Sequence, residues 1–326
     1  VTRLGFLLLL LLTACTGSQE PPLPALLAAG GEDGVRFYRA QDLQRGTGTL
    51  VKTWTTPGLQ DLAYSPTFQK LYLLFPDRVE AYDASGFSET SVPKGTPADQ
   101  GLPPGVDCTG GYLRLGQGAL LLHCPAVARA FLWPLDGSGN LEEADLTGLD
   151  PAARLALLPQ GSLDLLAYLT RSALGYRPAQ DPQGTPSLEK PLSPPLDADP
   201  FDLRIDAARG RLLGLGRAGL KARLYTLQGE ALGSQEVLGD FFGAPRLALD
   251  PVVVYGRGFQ VLEPRASSVQ EAYTDFAAGA VGQDGYLYLA SGSLLYVYDL
   301  VPSPPQRVAT PSLGFAPKAL AFLPVE

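Results

Sequence analysis

One pattern recurs along the chain and constrains its fold more than any other feature. A short apolar strand is followed by a Pro/Gly/Asp turn and a second apolar strand. A third strand ends in Tyr or Trp with polar residues, and a variable fourth comes last. The clearest copy is DLAYSPTFQKLYLLFPDRVEAYDASGFSETSV, residues 61–92. Further copies occupy residues 112–146, 153–180, 201–238, 246–273 and 276–309. The repeat of about 43 residues is the length of a four-stranded propeller blade. With 30 Pro and 37 Gly, the chain leaves few intervals for a long helix, which excludes a helical bundle.

The two ends supply the missing pieces of one more unit. KALAFLP (318–324) has the form of a first strand with nothing after it. ALLAAGGEDGVRFYRAQDLQRGTGTLVKTW (25–54) has strands two to four with no first strand before it. Joined, they make a seventh copy and would leave the ring without an exposed sheet edge. The expected fold is therefore all-β: a seven-bladed β-propeller of four-stranded antiparallel sheets over 25–326, closed by N- and C-terminal strands in one blade. A β-sandwich or a two-domain β protein is the alternative. Elements such as LAYSPTFQKLYLLF and AVGQDGYLYLASGSLLYVYDL resemble YVTN-type and WD-repeat-like β-propellers across about residues 25–324. No Gly-His or Trp-Asp dipeptide recurs in every blade, so the resemblance implies the fold and not an activity.

The start, VTRLGFLLLLLLTACTG, reads as an address label. Arg3 precedes an apolar run from Leu4 to Ala14, shorter than the roughly 20 residues a spanning helix needs. A basic start, a short apolar stretch and small residues follow the order of a secretory signal. Leu12-Thr13-Ala14-Cys15 resembles the lipobox of bacterial lipoproteins. That resemblance implies a signal peptide over 1–14, cleavage before Cys15, and diacylglycerol on its thiol. It also implies an extracytoplasmic protein, lipid-anchored to a bacterial membrane on its periplasmic or cell-surface side. Residues 15–24 are then the lipidated cysteine and a flexible tether. The alternatives are an ordinary signal peptide or a buried strand.

Setting Cys15 aside leaves Cys108 and Cys124, an even pair suited to an oxidising compartment. Between them, YLRL and ALLL read as strands and GQG as their turn. Folding at that turn brings the cysteines nearly opposite one another, so a Cys108–Cys124 disulfide is expected. The alternative, a metal site including the chain's single histidine, His123, is short of ligands.

Sequences that carry chemistry are sparse. His123 ends an apolar strand, and no G-x-S-x-G is present to accompany it. Residues 214–219, GLGRAG, match G-x-G-x-x-G, but a strand-like LKARLYTL follows where a dinucleotide site needs a helix. The glycines read as a hairpin turn. DGSGNLEEAD (136–145) has oxygen ligands near a Ca²⁺-loop spacing, but Leu141 and Thr147 stand where Gly and Glu are required. Metal-dependent lactonase-type propellers cluster Glu, Asp and Asn on the axis; here Asn140 is the sole Asn. Asp61, Asp107 and Asp206 are acidic candidates at the ends of first strands. The Pro-rich stretches 93–105 and 178–200 read as surface insertions of polyproline character.

The formal charge is −8, with charged residues at 18%, which argues against nucleic acid as a partner. No catalytic, cofactor or metal residues are assigned. The function expected is a non-enzymatic, membrane-anchored binding or scaffolding module of the cell envelope. It would be monomeric and take a protein or small ligand at a propeller face. The alternative is a periplasmic propeller enzyme, a lactonase-type hydrolase or sugar-type oxidoreductase with a metal or quinone on the axis. Convergent carboxylate, amide or Arg groups in the axial mouth would favour an enzyme. A sparsely charged mouth with a flat face would favour a binding module.

Overall fold

A computed structural model describes residues 23–161, 163–180, 187–228, 231–232, 236–237 and 245–325. The expected leader, Cys15 and most of the tether lie outside the described residues. Blade 1 takes β1 (Ala25–Gly31), β2 (Gly34–Arg39) and β3 (Leu50–Thr55) from the start of the chain, with helix α1 (Ala40–Gln44) between β2 and β3. Blade 2 comprises β4 (Asp61–Ser65), β5 (Lys70–Leu74), β6 (Arg78–Asp83) and β7 (Ala98–Gly101). Blade 3 comprises β8 (Tyr112–Leu115), β9 (Ala119–Cys124), β10 (Arg129–Pro134) and β11 (Glu142–Glu143). Blade 4 comprises β12 (Arg154–Gln160), β13 (Leu163–Leu169), β14 (Ala173–Pro178) and β15 (Leu188–Pro191).

In blade 5, β16 (Asp202–Asp206), β17 (Arg211–Ala218) and β18 (Lys221–Gln228) are followed by an outer edge in two pieces. Both β19 (Ala231–Leu232) and β20 (Glu236–Val237) pair with β18. Blade 6 has β21 (Arg246–Ala248), β22 (Val253–Val261) and β23 (Gln270–Asp275). The nine-residue β22 doubles back: Leu262 N–H donates to Val252 O at 2.9 Å, and Gly258 at the bend has φ +82°. It thereby supplies two of the blade's four strand segments. Blade 7 has β24 (Ala278–Val281), β25 (Tyr286–Ser291), β26 (Leu294–Asp299) and β27 (Gln306–Ala309).

The last strand, β28 (Ala319–Pro324), is the innermost strand of blade 1 and pairs antiparallel with β1 from Ala25↔Pro324 to Gly30↔Ala319. The ring closes as the end sequences imply. The innermost strands β4, β8, β12, β16, β21, β24 and β28 each neighbour the next around the axis.

The aromatic residues on the third strands of blades 1, 2, 3, 5 and 7 have a physical reason. Tyr38, Tyr82, Trp133, Tyr225 and Tyr298 are all at most 3% exposed, with their rings packed between strands and blades. Burying such a ring is worth about 2 kcal/mol. The phenols still find acceptors: Tyr38 Oη donates to Leu313 O at 2.8 Å, and Tyr225 Oη to Pro194 O at 3.0 Å.

The disulfide joins Cys108 to Cys124 across the start of the β8–β9 hairpin, with Cα atoms 4.5 Å apart. Closing a loop of this length is worth about 3 kcal/mol.

Two sequence expectations need correction. Gly214 and Gly216 are not in a hairpin turn; they lie inside β17, and only Gly219, with φ +66°, turns the chain. Their small size serves packing, since a Cβ on Gly216 would meet Leu196 Cδ atoms at 2.5 Å and one on Gly214 would meet Leu169 at 3.1 Å. The Pro-rich stretches are not simple insertions either. Residues 98–101 and 188–191 form the outer strands of blades 2 and 4. Residues 88–92, the end of the repeat copy, make a tight Ser88↔Ser91 bridge and bury Val92. Outer strands bear little apolar pattern because one side faces water, so Pro and charged residues are tolerated there.

Candidate functional site

The first residues of the seven innermost strands are Asp61, Tyr112, Arg154, Asp202, Arg246, Ala278 and Ala319. Because each innermost strand starts at the same end of the ring, these positions form a circle. In blades 2 to 6 each side chain reaches the main chain of the next blade. Asp61 Oδ2 accepts from Leu113 N at 2.8 Å, and Tyr112 Oη accepts from Leu155 N at 2.8 Å. Arg154 Nε donates to Pro200 O at 3.0 Å. Asp202 Oδ2 accepts from Leu247 N at 2.9 Å, and Arg246 Nη1 donates to Ala277 O at 3.3 Å. Innermost strands have a free edge of backbone groups toward the axis, and these five side chains satisfy part of it.

Two residues further along, Arg114 and Arg204 occupy third positions, where the other blades have alanine: Ala63, Ala156, Ala248, Ala280 and Ala321. Arg114 reaches from blade 3 to blade 5, its Nη2 donating to Asp202 Oδ1 at 2.8 Å. It also donates to Leu113 O and Leu203 O. Arg204 Nε donates to Asp202 Oδ2 at 3.2 Å. With Leu203 N and Leu247 N, Asp202 accepts four hydrogen bonds. Burial alone would push this carboxyl up, but Arg204 and Arg114 overcome that and hold it well below the usual carboxylate range. Asp61 accepts only main-chain donors, Leu62 N and Leu113 N. Its burial outweighs the attraction of Arg114, and its pKa is raised.

Behind this ring lies His123, 1% exposed on β9. Its Nδ1 is 2.7 Å from Tyr112 Oη. Burial, reinforced by Arg154 and Arg114, pushes the imidazole pKa down to about 3, so it is neutral at physiological pH. It is a strand-end residue beside the disulfide, as expected. Asp107 is exposed and caps Thr109 in a turn. Asp206 is buried in an ion-pair group with Arg209 and Arg211. The Asp136 segment is a hairpin turn in which Ser138 N donates to Asp136 Oδ1. Among the described residues, no three His, Cys, Asp or Glu side chains converge as metal ligands.

The circle surrounds an axial cavity of about 1010 Å³, lined by residues from all seven innermost strands. Of the sequence candidates only Asp61 lines it. Tyr112, Arg114, Arg154, Asp202, Arg204 and Arg246 were missed. The signal that could have found them is positional: residues one and three of each first strand face the axis region, whatever their type.

No protein-family model matches the chain, and no curated protein sequence matches it. Solved structures do match in fold. One is the periplasmic gluconolactonase PpgL of Pseudomonas aeruginosa, with 14% identity, 93% of this chain and 99% of that one covered, and a TM-score of 0.64. A second is a putative 6-phosphogluconolactonase from Bacteroides uniformis, with 12% identity, 92% and 99% covered, and a TM-score of 0.62. A third is apo AztD from Citrobacter koseri, with 12% identity, 93% and 98% covered, and a TM-score of 0.59. At these identities the likeness is one of fold. The protein is a seven-bladed β-propeller with a charged axial cavity.

Proposed function

We propose that the protein is an extracytoplasmic binding propeller, tied to a bacterial membrane through Cys15, and that it holds a small ligand in the axial cavity. One observation carries the choice of binding over catalysis: the cavity is charged, yet its candidate proton-transfer groups are occupied. Asp202 is saturated by four donors. Both Asp61 oxygens accept main-chain N–H groups. Tyr112 Oη accepts from Leu155 and contacts His123, whose imidazole is a very weak base. Groups locked in this way orient a ligand rather than move its protons. The Cys108–Cys124 disulfide suits an oxidising compartment and supports the location.

Native mass spectrometry of protein purified from its own envelope tests the site. A small molecule retained unchanged, and lost when Ala280→Trp fills the cavity, is the expected result. A ligand retained in the filled variant contradicts it. The anchor is tested separately: Cys15→Ser is expected to release the protein from membranes, and persistent attachment contradicts the anchor.

A second reading is a hydrolase. It is favoured by the convergent arginines and carboxylates of the mouth and by the lactonase names of two neighbours in fold. A metal on the axis has no matching donor set among the described residues. Release of acid from gluconolactone, abolished by Asp61→Asn, would replace binding with turnover.

A further inference from the structure

The axial cavity has the opposite charge to the chain. Arg114, Arg154, Arg204, Arg246 and Lys318 line it against Asp61, Asp202 and Asp250, whereas the whole chain is −8. Asp202 is shared between Arg114 and Arg204, so one carboxylate answers two guanidinium groups, and the cavity keeps five cationic side chains against three acidic ones.

Those three arginines are held but not used up. A guanidinium has five N–H donors in a planar fork. Arg154 uses Nε on Pro200 O, and Arg204 uses Nε on Asp202. Arg246 uses one Nη1 donor on Ala277 O. One bond each fixes the head, while the remaining donors are left for the cavity. The adjoining arc, blades 7 and 1, presents Ala278, Ala280, Ala319, Ala321 and Phe322, with Gln283 and Lys318 beside them. A fan of cationic forks therefore adjoins a stretch of wall built mainly from alanine.

The geometry points to an organic oxyanion as the ligand: a carboxylate or phosphate group held by Arg154, Arg204 and Arg246, with an apolar body against the alanine wall. This rests on the reading of the axial cavity as the binding site. Bidentate pairing with a guanidinium suits both carboxylate and phosphate, and low-dielectric walls strengthen it.

Calorimetry with four probes tests it. Benzoate and phenyl phosphate share an apolar body and differ in the oxyanion, so they distinguish the two sources of charge. Benzyl alcohol keeps the body without charge, and inorganic phosphate keeps charge without the body. At least one of the first two is expected to bind one molecule per chain, at least about ten-fold more tightly than benzyl alcohol or inorganic phosphate, and more weakly as salt rises. Arg154→Gln and Arg246→Gln are each expected to weaken that binding about ten-fold or more. Arg154→Lys and Arg246→Lys serve if the Gln variants fail to fold, with a smaller loss expected because the fork is gone. Binding by none of the probes overturns the oxyanion. So does benzyl alcohol binding equally well and indifferently to the arginine variants; if Ala280→Trp abolishes that binding, the axial site itself survives. Anion binding that persists in Ala280→Trp lies elsewhere and overturns both the ligand class and the site.

Discussion

The axial wall has two halves built on different principles. In blades 2 to 6, the first residue of every innermost strand is polar and latches to the main chain of the following blade. In blades 7 and 1 the same positions are Ala278 and Ala319, which latch to nothing. There the ring is held by main-chain pairing of β28 with β1, and by bonds further out. Gln44 of α1 reaches Asp284 and Tyr288, while Arg36 and Tyr38 reach Leu313 O. Where the two ends of the chain are sewn together by a backbone ladder, side-chain latches are dispensable. Where successive blades are joined by connecting loops and shared apolar clusters, the latches add a polar tie between neighbours and also place charge on the axis. Closure and the charged side chains of the axis thus lie in different parts of one ring.

The largest effect is expected at the closure. Removing residues 319–326 uncovers the edge of β1 and the apolar residues packed on Leu323, which is fully buried. Thermal melts are expected to lose their cooperative transition; a truncated chain that melts like the full one would show that the ladder does not hold the ring.

In the latched half, Asp202→Ala is the most damaging single change. It leaves Arg114 and Arg204 without their carboxylate and Leu247 N–H without an acceptor. A loss of about 3–5 kcal/mol in denaturant unfolding is expected. A loss below about 1 kcal/mol would mean that the axial ion pairs are idle.

The His123 effect is small near neutral pH and grows as the pH falls. Its folded pKa of about 3 lies below the ordinary value of 6.5. Between these values the unfolded chain binds a proton that the folded chain refuses, so stability falls as pH drops from 6.5 toward 3. The slope from this one group is about 1.4 kcal/mol per pH unit. Unfolding curves of His123→Gln measured across pH 4 to 6.5 are expected to be flatter than those of the parent protein by that amount; parallel profiles would contradict the buried neutral imidazole.

Asp61→Asn is expected to change least, about 1–2 kcal/mol. The amide oxygen can still accept from one of the two main-chain N–H groups, Leu62 or Leu113, the other loses its acceptor, and burial already disfavours the charged carboxylate. The same denaturation experiment compares it with Asp202→Ala, and equal losses would erase the distinction between a charge-paired and a backbone-paired aspartate.

The two halves were unequally legible in the sequence. The closure could be read because it is written in short apolar runs: KALAFLP lacks partners at one end of the chain, and ALLAAGG lacks a first strand at the other. The Cys108–Cys124 hairpin was legible for the same reason, being local. The site was not. Arg114 and Asp202 meet across the axis although 88 residues separate them. At the start of a strand, Asp61 or Asp202 looks like an ordinary turn residue. Glycines in β17 were misread because a strand glycine chosen for close packing on Leu196 has the same letter as one chosen for a turn.

Native-state hydrogen exchange at three amides tests the latched ring most directly. Leu113, Leu155 and Leu247 each donate to a first-position side chain of the preceding blade. All three are predicted to be protected, and Asp202→Ala is predicted to release Leu247 while leaving Leu113 protected. Exchange of all three as fast as an open strand edge, or an unchanged Leu247 in Asp202→Ala, would contradict the account.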